Sequence, residues 1–228
     1  MYVTSPVQTV ESEIIFPLVA DDSFEKSNPL EATFEEGANL FFAGDEAEFV
    51  YEVIEGVVKS SKVLMDGRRQ IINFCYPGEM IGLSHDSIYH CDCEAVSKVR
   101  ARIYRKNAFM TDLDQDPQFC ARLLRNAAAE INGMQDHFLM LGRKTAMEKI
   151  ASFLVAIMSR QVRREDGAIV FELPMKRSEI ADFLGVTIET VSRNLTKLRK
   201  LGVIELLSTH CFEVSDPALL RKLAENDT

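Results

Sequence analysis

The sequence predicts an α+β chain built from an N-terminal β-roll of jelly-roll type, one long helix, and a C-terminal winged helix-turn-helix. Three observations carry this. Between residues 29 and 116, short apolar segments alternate with glycines. Between 117 and 142, apolar residues recur in a narrow regular stripe. Between 176 and 204, two amphipathic stretches flank Gly185, and two β-rich runs follow.

Bulk composition fits a two-domain globular chain: 228 residues, 46% hydrophobic and 27% charged. The run Ile14–Val19 is too short to span a bilayer and contains Pro17. The N-terminus has no basic region followed by an apolar stretch, so no secretory signal is expected. The five cysteines, Cys75, Cys91, Cys93, Cys120 and Cys211, are odd in number and scattered. That pattern points to a reducing cytoplasm rather than a disulfide framework. Residues 1–28 are polar, acidic and irregular, and read as a flexible N-terminal arm.

The β-roll is expected over 29–116. Candidate strands are Asn39–Ala43, Val50–Ile54, Val57–Leu64, Gln70–Cys75 and Ala101–Tyr104, separated by Gly37, Gly44, Gly56, Gly67, Gly78 and Gly82. Asp66-Gly67 between two β-rich runs is a hairpin signal, and Glu55-Gly56 is a weaker one.

Asp116-Pro117 opens a helix expected over 117–142. Its apolar positions, Cys120, Leu124, Ala127, Ile131, Met134, Phe138 and Leu141, alternate spacings of four and three. Leu124, Ile131 and Phe138 share one heptad position; Ala127, Met134 and Leu141 share the other. A helix packing on its own β-domain would show a broader stripe. The narrow one points to a seam between two identical helices, hence a homodimer. Gly142 is the expected end of the stripe and a candidate hinge. A second amphipathic helix follows, with Ala146, Ile150, Phe153, Leu154, Ile157 and Met158 on one face, and Ala168–Leu173 reads as a short strand.

The remaining segment, within a C-terminal domain expected over 143–228, carries the chemistry. Ser178–Leu184 suits a short helix with Ile180, Ala181 and Leu184 inward. Gly185 supplies the turn, because a left-handed backbone costs glycine least. Thr187 caps the next helix, whose apolar face is Val191, Leu195, Leu198 and Leu201. Glu189, Ser192 and Arg193 fall at i, i+3 and i+4, so they share a face in the first two turns. That is the part of a helix-turn-helix that enters the major groove. Arg donates twice to a guanine edge, Glu accepts from a cytosine amino group, and Ser bonds a base or packs on a thymine methyl. Lys176, Arg177, Lys197, Arg199 and Lys200 suit phosphates, with Ser178, Thr187 and Thr190 in support. A solvated, salt-bridged face would explain Glu189 and Arg193 alone, but not the whole segment with its cap, turn glycine and basic flanks. Val203–Leu207 and Cys211–Val214 read as a wing hairpin, and Asp216-Pro217 starts a terminal helix.

Charge distribution agrees. The chain carries a net −9, yet residues 143–204 hold 12 Lys/Arg against 7 Asp/Glu. Residues 1–142 hold 12 against 23. Phosphate binding depends on the local field, not on the total. Double-stranded DNA is therefore the expected partner, and no membrane is.

The order of β-roll, long helix and winged helix-turn-helix resembles the cyclic-AMP receptor and fumarate-nitrate regulator (CRP/FNR) superfamily over about residues 29–214. Glu189-Thr190-Val191-Ser192-Arg193 resembles its oxygen-regulator subgroup. Leu173-Pro174-Met175, Arg177 and Leu184–Arg193 are most similar to FixK proteins, rhizobial regulators of microaerobic respiration and nitrogen fixation. The resemblance implies a cyclic-nucleotide-binding-like roll, an activator role with RNA polymerase as a partner, and a palindromic operator with TTGAT and ATCAA half-sites. It also identifies what is missing. The family's nucleotide pocket needs a Glu after Gly82, where Leu83 stands, and an Arg-Ser pair, yet no arginine lies between Arg69 and Arg100. FNR-type iron–sulfur sensors need N-terminal cysteines, and residues 1–74 contain none. The redox cysteine that some FixK proteins carry before the first helix is replaced by Lys176. His85, His90, Cys91 and Cys93 leave haem, metal or thiol gating as an alternative, although Cys91 and Cys93 on a strand read as small core residues. A cupin-like metal enzyme would need closely spaced histidines, and His85, His90, His137 and His210 make no His-x-His. The expectation is a regulator with no cofactor and no catalysis.

Overall fold

The computed structural model describes residues 29–161, 163–165 and 168–225. The arm expected at 1–28 lies outside them. Eight strands build the roll: β1 (Leu30–Phe34), β2 (Asn39–Phe41), β3 (Phe49–Glu55), β4 (Val58–Val63), β5 (Arg69–Cys75), β6 (Met80–Ile81), β7 (Asp92–Ala95) and β8 (Val99–Arg105). They form two four-stranded sheets, ordered β1-β8-β3-β6 and β2-β7-β4-β5. Between the sheets sit Phe34, Phe41, Tyr51, Val58, Cys93 and Ile103. β6 is too short, and β7 too acidic at Asp92 and Glu94, for alternation to reveal them.

Asp66-Gly67 does close the β4–β5 hairpin, with the Leu64 N–H donating to Arg68 O at 2.8 Å. Glu55-Gly56 does not close one, because β3 and β4 belong to different sheets. The chain crosses between layers there. Gly56 has φ +85°, and a Cβ would lie 2.2 Å from Lys98 O. Both the turn and the close approach require glycine.

Two further features stand beside the expected elements. The end of the roll segment is helical: α1 (Lys106–Gln115) folds back and buries Phe109 against Val50, Met80 and Tyr104. The long helix α2 (Pro117–Arg143) begins at the Asp116 cap, whose Oδ1 accepts from the Gln118 and Phe119 N–H groups at 2.9 and 3.1 Å. It runs through Gly142 rather than breaking there. The break falls at extended Lys144, because Thr145 and Glu148 form a capping box. The Thr145 N–H donates to Glu148 Oε2 at 2.8 Å, and this starts α3 (Ala146–Gln161).

The rest is β9 (Arg163–Glu165), β10 (Ala168–Glu172), α4 (Arg177–Leu184), α5 (Ile188–Lys200), β11 (Ile204–Leu206), β12 (Cys211–Val214) and α6 (Pro217–Glu225). Its sheet runs β11-β12-β10-β9. Of the expected α3 face, Ala146 is half-buried, and Ile150, Phe153, Leu154, Ile157 and Met158 are buried. Those side chains share one core with Leu184, Leu198 and Phe212, and also with Val57, Ile71 and Phe74 from the roll. The β2-β7-β4-β5 sheet is thus covered on both faces.

Replacing Gly56 by Ala should destabilise the protein by about 1–3 kcal/mol, read as a lower urea midpoint. An unchanged midpoint would show that the crossing tolerates a side chain.

Candidate nucleic-acid interface

The turn between α4 and α5 forms as the residues require. Gly185 adopts φ 61°, ψ 43°, the left-handed cap of α4. The Thr187 hydroxyl accepts from the Thr190 N–H at 3.2 Å and caps α5. Thr190 O in turn accepts from Asn194 Nδ2 at 2.8 Å. Val191, Leu195 and Leu198 anchor the helix inward. Leu201, expected on that face, is exposed, because it lies past the last turn as the C-cap.

Glu189, Ser192 and Arg193 are all exposed on α5. The Glu189 carboxyl is held below its usual range. Its own backbone N–H, the Thr187 hydroxyl and the Arg193 charge all favour the anion. Lys197, Arg199 and Lys200 continue the exposed basic edge in the last turn. The structure places the α4 flank differently. Lys176 is exposed, but its Nζ lies 3.0 Å from Glu36 Oε1 in the roll. Arg177 is half-buried, its guanidinium 5.4 Å from the Phe212 ring centre. Ser178 is half-buried beside it.

On α2, the expected seam separates from the face turned to the roll. Phe119 and Leu123 pack against the Phe109 cluster, and Met140 is buried. Leu124, Ile131, Met134 and Phe138 point away, with Phe138 78% exposed and Leu124 65% exposed. Ala127 and Leu141 are half-buried. Large apolar side chains in one exposed row mark an association surface.

The roll interior holds a cluster of aromatic rings. Phe41 and Tyr89 stack at 3.8 Å, Tyr89 Oη donates to Phe49 O at 2.7 Å, and Tyr51 Oη donates to Leu40 O at 3.3 Å. Among the described residues the one buried cation is Lys59, which lies on the outer face and is already paired. Leu83 is exposed. Cys75 and Cys93 are buried, and desolvation pushes both thiols up; half-buried Cys91 shifts the same way. His90 pairs with Asp86 at 2.7 Å on the surface. Among the described residues no group of three or more His, Cys, Asp or Glu side chains is placed to hold a metal ion, and no helix is long and apolar enough to cross a membrane.

A capped reading helix behind a turn glycine, backed by a wing and joined to a roll, defines a DNA-binding regulator of the winged helix-turn-helix class. The Crp-like helix-turn-helix domain family matches residues 148–223, and the cyclic nucleotide-binding domain family matches 31–116. The nitrogen fixation regulation protein FixK of Azorhizobium caulinodans is 37% identical over 93% of this chain and 88% of its own length. The transcriptional activator protein FnrL of Cereibacter sphaeroides is 33% identical over 86% and 81%. The structure of FixK2 from Bradyrhizobium japonicum superposes with a TM-score of 0.79 at 33% identity, covering 86% of this chain and 96% of that one. The chain belongs to the CRP/FNR family of DNA-binding transcription regulators, and within it to the FixK-like proteins.

Sequence reasoning missed the ties that α4 makes to Lys59 and Arg69 of the roll and to His137 of α2. No local signal marks them, because their partners are distant in the chain.

In the native protein at neutral pH, Cys75 and Cys93 should resist alkylation by iodoacetamide and label fully once unfolded. Peptide mapping showing rapid native labelling of either would favour thiol gating.

Proposed function

We propose that this protein acts as a homodimeric activator that binds a TTGAT–ATCAA palindrome with no small-molecule effector. α5 of each copy enters the major groove. Arg193 and Glu189 read base edges as a coupled pair, with Ser192 beside them. Lys197, Arg199 and Lys200 meet phosphates, and Ser178, Thr187 and Thr190 support the backbone approach. Lys176 reaches a phosphate by releasing Glu36, since an exposed ion pair is worth little. Arg177 holds α4 on the wing strand through Phe212. The seam Leu124, Ala127, Ile131, Met134, Phe138 and Leu141 joins the two copies. Each domain keeps the bounds expected above, and the protein works in the cytoplasm with RNA polymerase as its partner. Its targets are genes of microaerobic respiration and nitrogen fixation, in line with the names of its relatives.

The observation that carries this reading is the exposed, prealigned Glu189–Arg193 face on a capped helix. The effector-free part rests on the Phe41–Tyr89 stack inside the roll.

Anisotropy titrations of purified protein, with nothing added, should show tight binding to the palindrome. Arg193→Ala or Glu189→Ala should erase discrimination against a mismatched half-site, a loss of about 1–3 kcal/mol. Wild-type preference in either variant refutes the reading face, and an absolute need for added cyclic AMP or haem refutes the effector-free part. Separately, Ile131→Asp should give a monomer in sedimentation; an intact dimer would sink the seam.

A further inference from the structure

α4 is fixed to the roll along its whole length. At its start, Lys59 Nζ on β4 lies 2.6 Å from Glu179 Oε1 and 2.7 Å from Glu94 Oε1 on β7. Lys59 and Glu94 are directly paired in the β4–β7 ladder. Lys59 is 2% exposed and Glu179 is 4% exposed. The other Glu179 oxygen accepts from the Lys176 N–H at 2.8 Å, so the same carboxylate completes the helix start. At the end of α4, Asp182 meets Arg69 of β5 at 3.0 Å. Phe183 O accepts from Gln70 Nε2 at 3.2 Å and bonds His137 Nε2 of α2 at 2.8 Å.

An apolar contact allows two surfaces to slide by small steps with little change in energy. A buried ion pair does not, because any displacement leaves a desolvated charge without its partner. α4 packs directly on α5, so whatever fixes α4 against the roll fixes the reading helix against the dimer seam. In a two-fold dimer that sets the distance and rotation between the two reading helices.

We propose that Lys59 is a positioning residue for DNA reading: by clamping Glu179 to Glu94 it sets the half-site spacing that the dimer accepts. This rests on the dimer–palindrome reading above. Lys59 touches no base. Its loss leaves the Glu189–Arg193 face intact and lets the reader shift against the roll. Base discrimination and spacing discrimination therefore come from separate residues.

The test uses the full chain and palindromes with the natural centre, one base pair added, or one removed. One base pair rotates a half-site by about 34° and moves it by about 3.4 Å. The wild type should lose at least about tenfold in affinity on either shifted site. Lys59→Met and the near-isosteric Glu179→Gln should each lose less than about threefold on the shifted sites, while still rejecting a mismatched half-site. Lys59→Arg should restore strict spacing. If Lys59→Met does not fold, as read by its melting curve, Glu179→Gln carries the comparison alone. Wild-type spacing strictness in a folded variant overturns the inference and leaves the palindrome reading standing. A wild type indifferent to spacing overturns both.

Discussion

The structure depends on one sheet being buried twice. In β4, Val58 points into the roll and its neighbour Lys59 points out under α4. Successive strand residues face opposite ways, so a single strand carries both environments. The β4–β5 pairing shifts register between Ser60 and Ser61. That irregularity allows Ile71 and Phe74 to join the outer core while Cys75 stays in the inner one. A roll standing alone would expose Val57, Ile71 and Phe74 to water, which burial of apolar surface opposes. Roll and reader are therefore not two beads on a string; they share a core, with an ion-pair cluster set into it.

This sharing explains which parts of the molecule were legible in the sequence. The helix-turn-helix is local: a threonine cap, a turn glycine and a helical period lie within 25 residues, and each acts through backbone chemistry close by. The apolar stripe of α2 was legible because it is confined to one helix. The misreadings occur where a distant partner decides. Glu55-Gly56 has hairpin composition, but the neighbouring strand lies in the other sheet. Lys59 and Ser61 have the alternation of a solvated strand face, and only α4, some 120 residues on, makes that face an interior.

Electrostatics divides the same way. The reading end is basic and the roll acidic, but the contacts between them run both ways: Glu36 of the roll meets Lys176, while Lys59 and Arg69 of the roll meet Glu179 and Asp182 of α4. The buried cluster is not balanced, since Lys59 faces two carboxylates and the Lys176 N–H takes up the second oxygen of Glu179. Glu94 stays partly solvated, which limits the desolvation cost of the extra anion. On α5 the logic is different. Glu189 sits at the positive end of the helix and beside Arg193, so both side chains are held ready in water rather than buried.

The double burial also bears on how such a roll acts on a reader at all. A ligand changes an equilibrium only through differential affinity for its two states, and moving a population from 1:99 to 99:1 takes about 10⁴-fold. Any ligand seated between the two sheets would press on the inner side chains of β4, and the nearest consequence would fall one residue away on the outer side, at the Lys59 clamp. The mechanical route from sensor to reader is therefore a single peptide unit long. In this chain the Phe41–Tyr89 stack and the Tyr51 ring pack between the sheets. In the effector-free reading proposed above, that packing takes the part of a bound ligand, and the Lys59 joint on the outer side of β4 stays set.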